Sequence, residues 1–294
     1  MAEEIHFIKM EGAGNDYIYV DCFSQFVLNP QAFARRVSDR HFGIGSDGVI
    51  FIKPSGRADC FMDIYNADGS RGRTCGNGLR CVAMYMWEKS GRKSKEIRIE
   101  TLSGICCARP QPLNKRKCWV SVTMGRAFGR DMLVPRHEIG KMLPGGIFIE
   151  WARLVDTGNF HCVVMIKSYD KDSLPENILQ MLELKKIGSF LENYSGFPGS
   201  VNTELCVADI CAEDHGTEIV RARVWERGSG ETLACGSGAC AIYRAFADQS
   251  IKHGEEPKKQ CIFMPGGRLH VEETKEGLLL SGEAARVFEG KIWW

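Results

Sequence analysis

Two stretches of this sequence are apolar on nearly every helical face: Gly78-Leu-Arg-Cys-Val-Ala-Met-Tyr-Met-Trp87 and Gly238-Ala-Cys-Ala-Ile-Tyr-Arg-Ala-Phe-Ala247. A surface helix carries one apolar stripe, whereas a helix that is apolar all round must sit inside a core. Each stretch therefore needs walls on all sides. Alternating segments rich in β-branched and aromatic residues supply them at Asp59–Tyr65, Ile97–Leu102, Cys118–Met124, Ile219–Trp225, Leu269–Glu272 and Leu278–Gly282. Further helical period appears at Pro30–Arg40 and Pro175–Leu191. The pattern predicts two layers of sheet, each wrapped around one central helix.

A chain of 294 residues is long enough for two domains. The polar, Gly-rich stretch at Met124–Arg130 is the expected junction. With 44% hydrophobic and 26% charged residues, the composition is that of a globular protein with a substantial core. The formal net charge is +1 and no basic stripe appears, so neither a nucleic-acid nor a membrane-surface partner is expected. The acidic start, Met1-Ala2-Glu3-Glu4, lacks the charge pattern of a secretory signal, and no apolar run approaches a membrane span. The expected location is cytoplasmic. The segment Lys89–Lys95 reads as a solvated basic loop.

Thirteen cysteines are an odd number in a long chain, which argues against a disulfide framework. No C-x-x-C occurs, and the pairs Cys75/Cys81, Cys106-Cys107, Cys206/Cys211 and Cys235/Cys240 lack zinc spacing, so no metal site is expected. Most cysteines read as small core residues. Two stand apart, because the buried helices open alike: Cys75-Gly76-Asn77-Gly78 and Cys235-Gly236-Ser237-Gly238. A polar cluster precedes each, Asn66-Ala67-Asp68-Gly69-Ser70 and Glu226-Arg227-Gly228-Ser229-Gly230. Gly12–Asn15 and Thr157–Asn159 add a further echo, as two half-chains of similar fold would.

A cysteine at the first turn of a helix meets unpaired N–H groups and a partial positive charge. Its thiol pKa should fall, and the bare N–H groups can hold an anion that glycine lets approach closely. A carboxylate held by two such helix ends would carry one sulfur on each face of its α-carbon. One thiolate would remove the α-proton and the opposite thiol would supply another, inverting the centre. Three other readings compete. The Gly-rich turns could hold a phosphate, although no G-x-x-x-x-G-K-[ST] is present. The cysteines could be structural. A cysteine hydrolase could use His161 as its base, which leaves the second cysteine unexplained.

At these residues the chain resembles the diaminopimelate epimerase family, whose members interconvert LL- and meso-diaminopimelate without PLP for lysine and cell-wall synthesis. Asn66–Arg80 resembles the family signature around its first catalytic cysteine, Glu226–Ala239 the second, and Lys9–Tyr17 the N-terminal strand and loop. The resemblance implies an α/β (α+β) fold of two similar domains, each a mostly antiparallel rolled sheet or barrel around a central helix, with the active site in the cleft between them. The domains would be 1–123 plus 284–294, and 124–283. It implies Cys75 and Cys235 as the acid–base pair. Gly76, Asn77, Gly236 and Ser237 would hold the reacting carboxylate. Asn15, Asn66, Asn159, Asn202, Glu226 and Arg227 would orient the rest of an amino-acid substrate, with Arg227 suited to a distal carboxylate and Glu226 to an ammonium. His161 is a supporting candidate. No cofactor and no metal are implied, and a homodimer is the expected assembly. Two departures concern substrate choice: Phe160 replaces the usual proline after Asn159, and Thr203 follows Asn202. They motivate an alternative, a cofactor-independent racemase of another amino acid such as histidine. A non-enzymatic anion- or zinc-binding protein is a third reading.

Overall fold

The computed structural model describes residues 3–169, 177–209 and 217–294. The chain divides into two compact units, Met1–Thr123 with Ser281–Trp294, and Met124–Leu280.

In unit 1, β1 (Glu4–Gly12) and β2 (Asn15–Asp21) form an antiparallel hairpin. Its two turn residues, Ala13 and Gly14, have φ of 53° and 78°. Positive φ at both central positions is the hairpin turn that matches strand twist, and it makes Asn15 the first residue of β2. Helix α1 (Pro30–Ser38) starts where Asn29 accepts a hydrogen bond from the Ala32 N–H at 3.1 Å, with Pro30 in the first turn. β3 (Gly48–Lys53) runs parallel to β2 and antiparallel to β4 (Cys60–Asn66). β5 (Arg71–Gly72) folds back on β4. Helix α2 (Gly76–Lys89) follows, then β6 (Ile97–Thr101), which pairs parallel with β4, and the antiparallel β7 (Gly104–Pro112) and β8 (Lys117–Thr123).

In unit 2, β9 (Phe128–Arg130) pairs with β10 (Ile147–Asp156), and the short helix α3 (Arg136–Gly140) lies between them in the chain. β10 is antiparallel to β11 (Phe160–Ser168). The helical period at Pro175–Leu191 becomes two helices among the described residues, α4 (Ile178–Met181) and α5 (Leu184–Glu192). Residues up to 176 of that stretch lie outside the described residues. The break has a physical reason. Leu182 is extended, with ψ 135°, which buries both Leu182 and Leu184 (3% and 1% exposed), and positions two apart on one helix cannot share a face. β12 (Asn202–Asp209) is parallel to β11 and antiparallel to β13 (Glu218–Glu226). β14 (Gly230–Thr232) folds back on β13, helix α6 (Gly236–Lys252) follows, and β15 (Gln260–Met264) pairs parallel with β13 and antiparallel with β16 (Gly267–Thr274).

β17 (Gly277–Trp293) begins in unit 2 and ends in unit 1. There it runs antiparallel to β1, Ala285 opposite Glu11 and Trp293 opposite Glu4, and also pairs with β8. The strands of unit 1 thus close into a ring, β17-β1-β2-β3-β4-β6-β7-β8. α2 packs against β1, β2, β4, β6, β7 and β8, and all its residues but Tyr85, Glu88 and Lys89 are buried. In unit 2, α6 packs against β9, β10, β11, β12 and β16. The fold is the expected α/β one, a rolled sheet around a central helix in each unit.

The two units repeat one topology. An antiparallel pair (β1/β2, β10/β11) leads to a parallel step (β2/β3, β11/β12), an antiparallel partner (β4, β13) and a short return strand (β5, β14). A cysteine-headed helix follows, then a strand parallel to the fourth (β6, β15). Even the turns agree: Gly69 N–H bonds to Asn66 C=O at 2.9 Å and Ser229 N–H to Glu226 C=O at 3.0 Å. The ladder registers make Gly48 the counterpart of Asn202 and Tyr17 that of His161.

Among the described residues no disulfide forms. Cys60, Cys81, Cys118, Cys162, Cys206, Cys235, Cys240 and Cys261 are buried, as small core residues should be. Cys211 lies outside the described residues. No described helix is long and apolar enough to cross a membrane.

Candidate active site

Both cysteines sit where the helix argument puts them. Cys75 caps α2 in extended geometry (φ −147°, ψ 115°), and its sulfur accepts from the Gly78 N–H at 3.4 Å. Cys235 caps α6 in the same geometry (φ −124°, ψ 119°), accepting from the Gly238 N–H at 3.3 Å. Glycine at the third helical position is a packing requirement. A Cβ on Gly78 would stand 2.7 Å from Ile50 Cδ1, and one on Gly238 would stand 2.7 Å from Glu204 Oε1. Gly76, Asn77, Gly236 and Ser237 fill the first turns, where helix N–H groups lack intrahelical acceptors.

Around Cys75 the side chains form a polar chain. The thiol lies 3.3 Å from Asn15 Oδ1. Asn15 Nδ2 donates to Asp47 Oδ2 at 2.6 Å, which fixes the amide with its oxygen toward the sulfur. Arg40 in turn bonds Asp47 and Asp16 (3.0 and 2.7 Å), and Lys9 bonds Asp16 at 2.5 Å. Burial raises the Asp16 pKa, but the bonds from Arg40 and Lys9 outweigh it, and the net shift is downward. Asn66 ends β4 on the surface and donates to Ser70 Oγ at 2.9 Å, closing the turn that leads to the cysteine. Behind the helix lies Arg80, fully buried. Its Nε donates to Glu283 C=O at 3.2 Å, and its Nη1 and Nη2 have no hydrogen-bond partner. Burial pulls its pKa down, while the nearby Cys81 and Cys75 push it up.

Around Cys235 the neighbours are acidic. Glu226, at the end of β13, places its charge near the Cys235 thiol and accepts from Thr232 Oγ1 at 2.5 Å; burial raises its pKa. Ser237 Oγ lies 3.3 Å from the sulfur. Beneath the helix, His161 Nδ1 meets Glu204 Oε1 at 2.6 Å with both side chains fully buried. Asn202 Nδ2 approaches His161 Nε2 at 3.4 Å, and the Asn202 oxygen accepts from the Arg227 N–H at 2.8 Å. One tautomer satisfies the whole line: Nδ1–H donates to Glu204 and Nε2 accepts from Asn202. Asn159 Oδ1 accepts from Thr157 Oγ1 at 3.1 Å. The Arg227 side chain is exposed. Phe160 is the first residue of β11 and packs on the unit 2 core. Among the described residues no three His, Cys, Asp or Glu side chains converge as metal ligands do.

The expectation that both thiols become more acidic needs correction at Cys235. Its pKa is raised well above the ordinary value, first by burial and then by Glu226 and Glu204. The bonds from Ser237 and Gly238 only partly offset this. A helix end supplies partial charge, whereas two nearby carboxylates supply whole ones. Burial similarly pushes Cys81 up to about 12. Sequence reasoning gave no role to Glu204 or Arg80. A signal for each existed, an acid at an inward position of the strand segment Asn202–Asp209 and a cation inside an otherwise apolar helix.

The sequence is similar to known proteins along nearly its whole length. The family model for diaminopimelate epimerase matches residues 7–128 and 153–287. A diaminopimelate epimerase of Acetivibrio thermocellus is 38% identical, the match covering 98% of each chain. One of Methanococcus maripaludis is also 38% identical, over 97% of this chain and 99% of its own. Among solved structures, a PhzF-family phenazine biosynthesis protein of Enterococcus faecalis superposes with a TM-score of 0.67 at 12% identity. That superposition covers 99% of this chain and 100% of the other, a likeness of fold. On the near full-length match and the family model, this chain belongs to the diaminopimelate epimerase family.

Proposed function

We propose that this chain interconverts LL- and meso-diaminopimelate without a cofactor, with Cys75 and Cys235 as its acid–base pair. The observation that carries the reading is the repeated one: in each unit a cysteine caps the buried central helix and accepts from the third helical N–H, within a family-wide match. One thiolate takes the α-proton and the other thiol returns a proton to the opposite face, so either stereoisomer can enter. The N–H groups of Gly76, Asn77, Gly236 and Ser237 hold the reacting carboxylate and stabilise the charge that develops on it. Asn15, Asn66, Asn159, Asn202 and Arg227 orient the remainder of the substrate, Arg227 through a bidentate grip on the distal carboxylate. Glu226, whose carboxyl group lies near the Cys235 sulfur, receives the substrate ammonium. His161 supports the site through Asn202, whose amide it fixes.

Phe160 motivated a racemase of another amino acid. Phe160 packs on the unit 2 core, and the family match favours diaminopimelate. Cytoplasmic action fits the free cysteines, and a homodimer is the assembly we propose. The decisive measurement is incubation with LL-diaminopimelate in deuterated water. Meso product carrying α-deuterium is expected, and the absence of both would remove the reading. Arg227→Ala separates the alternative, since a racemase that reads no distal carboxylate would be indifferent to it.

A further inference from the structure

The two cysteine-headed helices have opposite electrostatic surroundings at equivalent positions. Five residues after its cysteine, α2 carries Arg80, and α6 carries Cys240 at that place. Beneath the third helical glycine, unit 1 has Ile50 and unit 2 has Glu204. At the strand end before the turn, unit 1 has the neutral Asn66 and unit 2 the acidic Glu226.

Arg80 is costly where it is. It is fully buried, both Nη atoms lack a hydrogen-bond partner, and a buried cation is unfavourable unless opposite charge and hydrogen bonds offset its desolvation. Its end reaches back to the start of the helix: a Cβ on Gly12 would lie 3.1 Å from Arg80 Nη2 and 3.0 Å from Asn77 C=O. A cation beside a helix N-terminus is repelled by the helix dipole as well. The groups facing it are Cys75 and Cys81 on its own helix, Tyr19 on β2 and Glu11 on β1. Glu11 supplies one opposite charge from β1, shared with the Gly14 N–H that it accepts at 3.0 Å. A negative charge on the Cys75 sulfur would add a second from the helix start, where the unpartnered Nη atoms lie.

On the reading of the two cysteines as an acid–base pair, we propose that Arg80 is a positioning residue whose buried charge holds Cys75 as the thiolate of the substrate-free enzyme, leaving Cys235, between two carboxylates, as the protonated partner. Loss of the Cys75 proton to solvent leaves Arg80 facing an anion, and no other group changes charge. The Asn15 carbonyl near the sulfur opposes ionisation, but as a neutral dipole against a whole charge. The resting enzyme is therefore poised to remove a proton at Cys75 and deliver one from Cys235. In the reverse direction it must first exchange the two protonation states.

The test uses substrate-free, fully reduced enzyme alkylated with iodoacetamide between pH 5 and pH 10, with each cysteine peptide quantified by mass spectrometry. The midpoint of each pH profile, rather than the absolute rate, removes the difference in access. The Cys75 midpoint should lie at least two units below that of Cys235, roughly a hundredfold difference in ionisation constant. Arg80→Met should raise the Cys75 midpoint by about one unit, a tenfold change, and leave the Cys235 profile in place. Arg80→Lys should restore the Cys75 midpoint, which a purely structural role would not achieve. Should the methionine variant fail to fold, Arg80→Gln provides the same neutralisation. Coincident wild-type midpoints, or a Cys75 midpoint unmoved in a folded neutral variant, would overturn the proposal. The titration needs no turnover, so its outcome is separate from whether diaminopimelate is epimerised.

Discussion

The starts of α2 and α6 are alike in backbone and opposite in charge. In both, an extended cysteine caps a buried helix and accepts from the third helical N–H. Around Cys75 the buried charge is the Arg80 guanidinium; around Cys235 it is the carboxylates of Glu204 and Glu226. On the proposed assignment, a repeated fold delivers two chemically unequal sulfurs. The backbone supplies the shared helix-start geometry, and a few inward-facing side chains differ around each thiol. A reaction that needs one base and one acid at the same moment requires such inequality.

The largest expected effect would break the pairing altogether. Cys75→Ala and Cys235→Ala should each lower kcat/KM for LL-diaminopimelate by about a thousandfold or more, within the usual range for a lost acid or base. Near-normal turnover in either variant would show that the helix ends do not work together.

Next in size is the buried pair that only unit 2 carries. His161→Ala leaves Glu204 buried without its partner and should destabilise that unit by about 3–5 kcal/mol. Tyr17→Phe, at the matching position of unit 1, should cost about 1 kcal/mol. Urea unfolding of the two variants measures the difference, and equal losses would remove the distinction drawn between the units.

Glycine substitution should separate the helix ends more finely. Gly238→Ala pushes against Glu204, which its bond to His161 holds in place, whereas Gly78→Ala meets the flexible ends of Ile50 and Met62. Losses of about 1–3 kcal/mol are expected from overpacking, with Gly238→Ala the more damaging in thermal melts.

The smallest effects concern titration. Glu226→Gln removes a negative charge beside Cys235 and should lower that thiol's alkylation midpoint by about one unit, or tenfold, although turnover falls. Stability should show the complementary trend. Thiols whose folded pKa is raised by burial, Cys235 and Cys81 among them, favour the folded state while protonated. Their contribution is complete below the unfolded thiol value near 8.5 and is lost as pH rises toward the folded values. Asp16, whose pKa is lowered, works the other way: its contribution is present above about pH 4 and is lost in acid. The melting temperature should therefore be flat near neutrality and fall on both sides.

Much of this was legible in the residues themselves. All-round apolarity identified both central helices, and the Cys-Gly-x-Gly openings placed each sulfur at a helix start, because capping and helix burial are local properties of sequence. Asn15 was marked by the Gly12–Asn15 echo, whereas Asn202 was reached only through family resemblance and its strand, Asn202–Asp209, was not read from the sequence. The helical period at Pro175–Leu191 reached α5 but hid the break at Leu182, since period alone does not reveal where the core takes two leucines only two residues apart.

What the tertiary structure alone decided is the electrostatic identity of the two sulfurs. Glu204 follows Asn202 by two residues in the chain, yet it reaches α6 because β12 runs beneath that helix. Arg80 belongs to the signature, but the burial of its unpartnered Nη atoms follows from the closed strand ring around α2. Local sequence fixes backbone conformation through short-range sterics and capping; a pKa depends on which charges are brought within a few ångströms after folding, and at what depth from water.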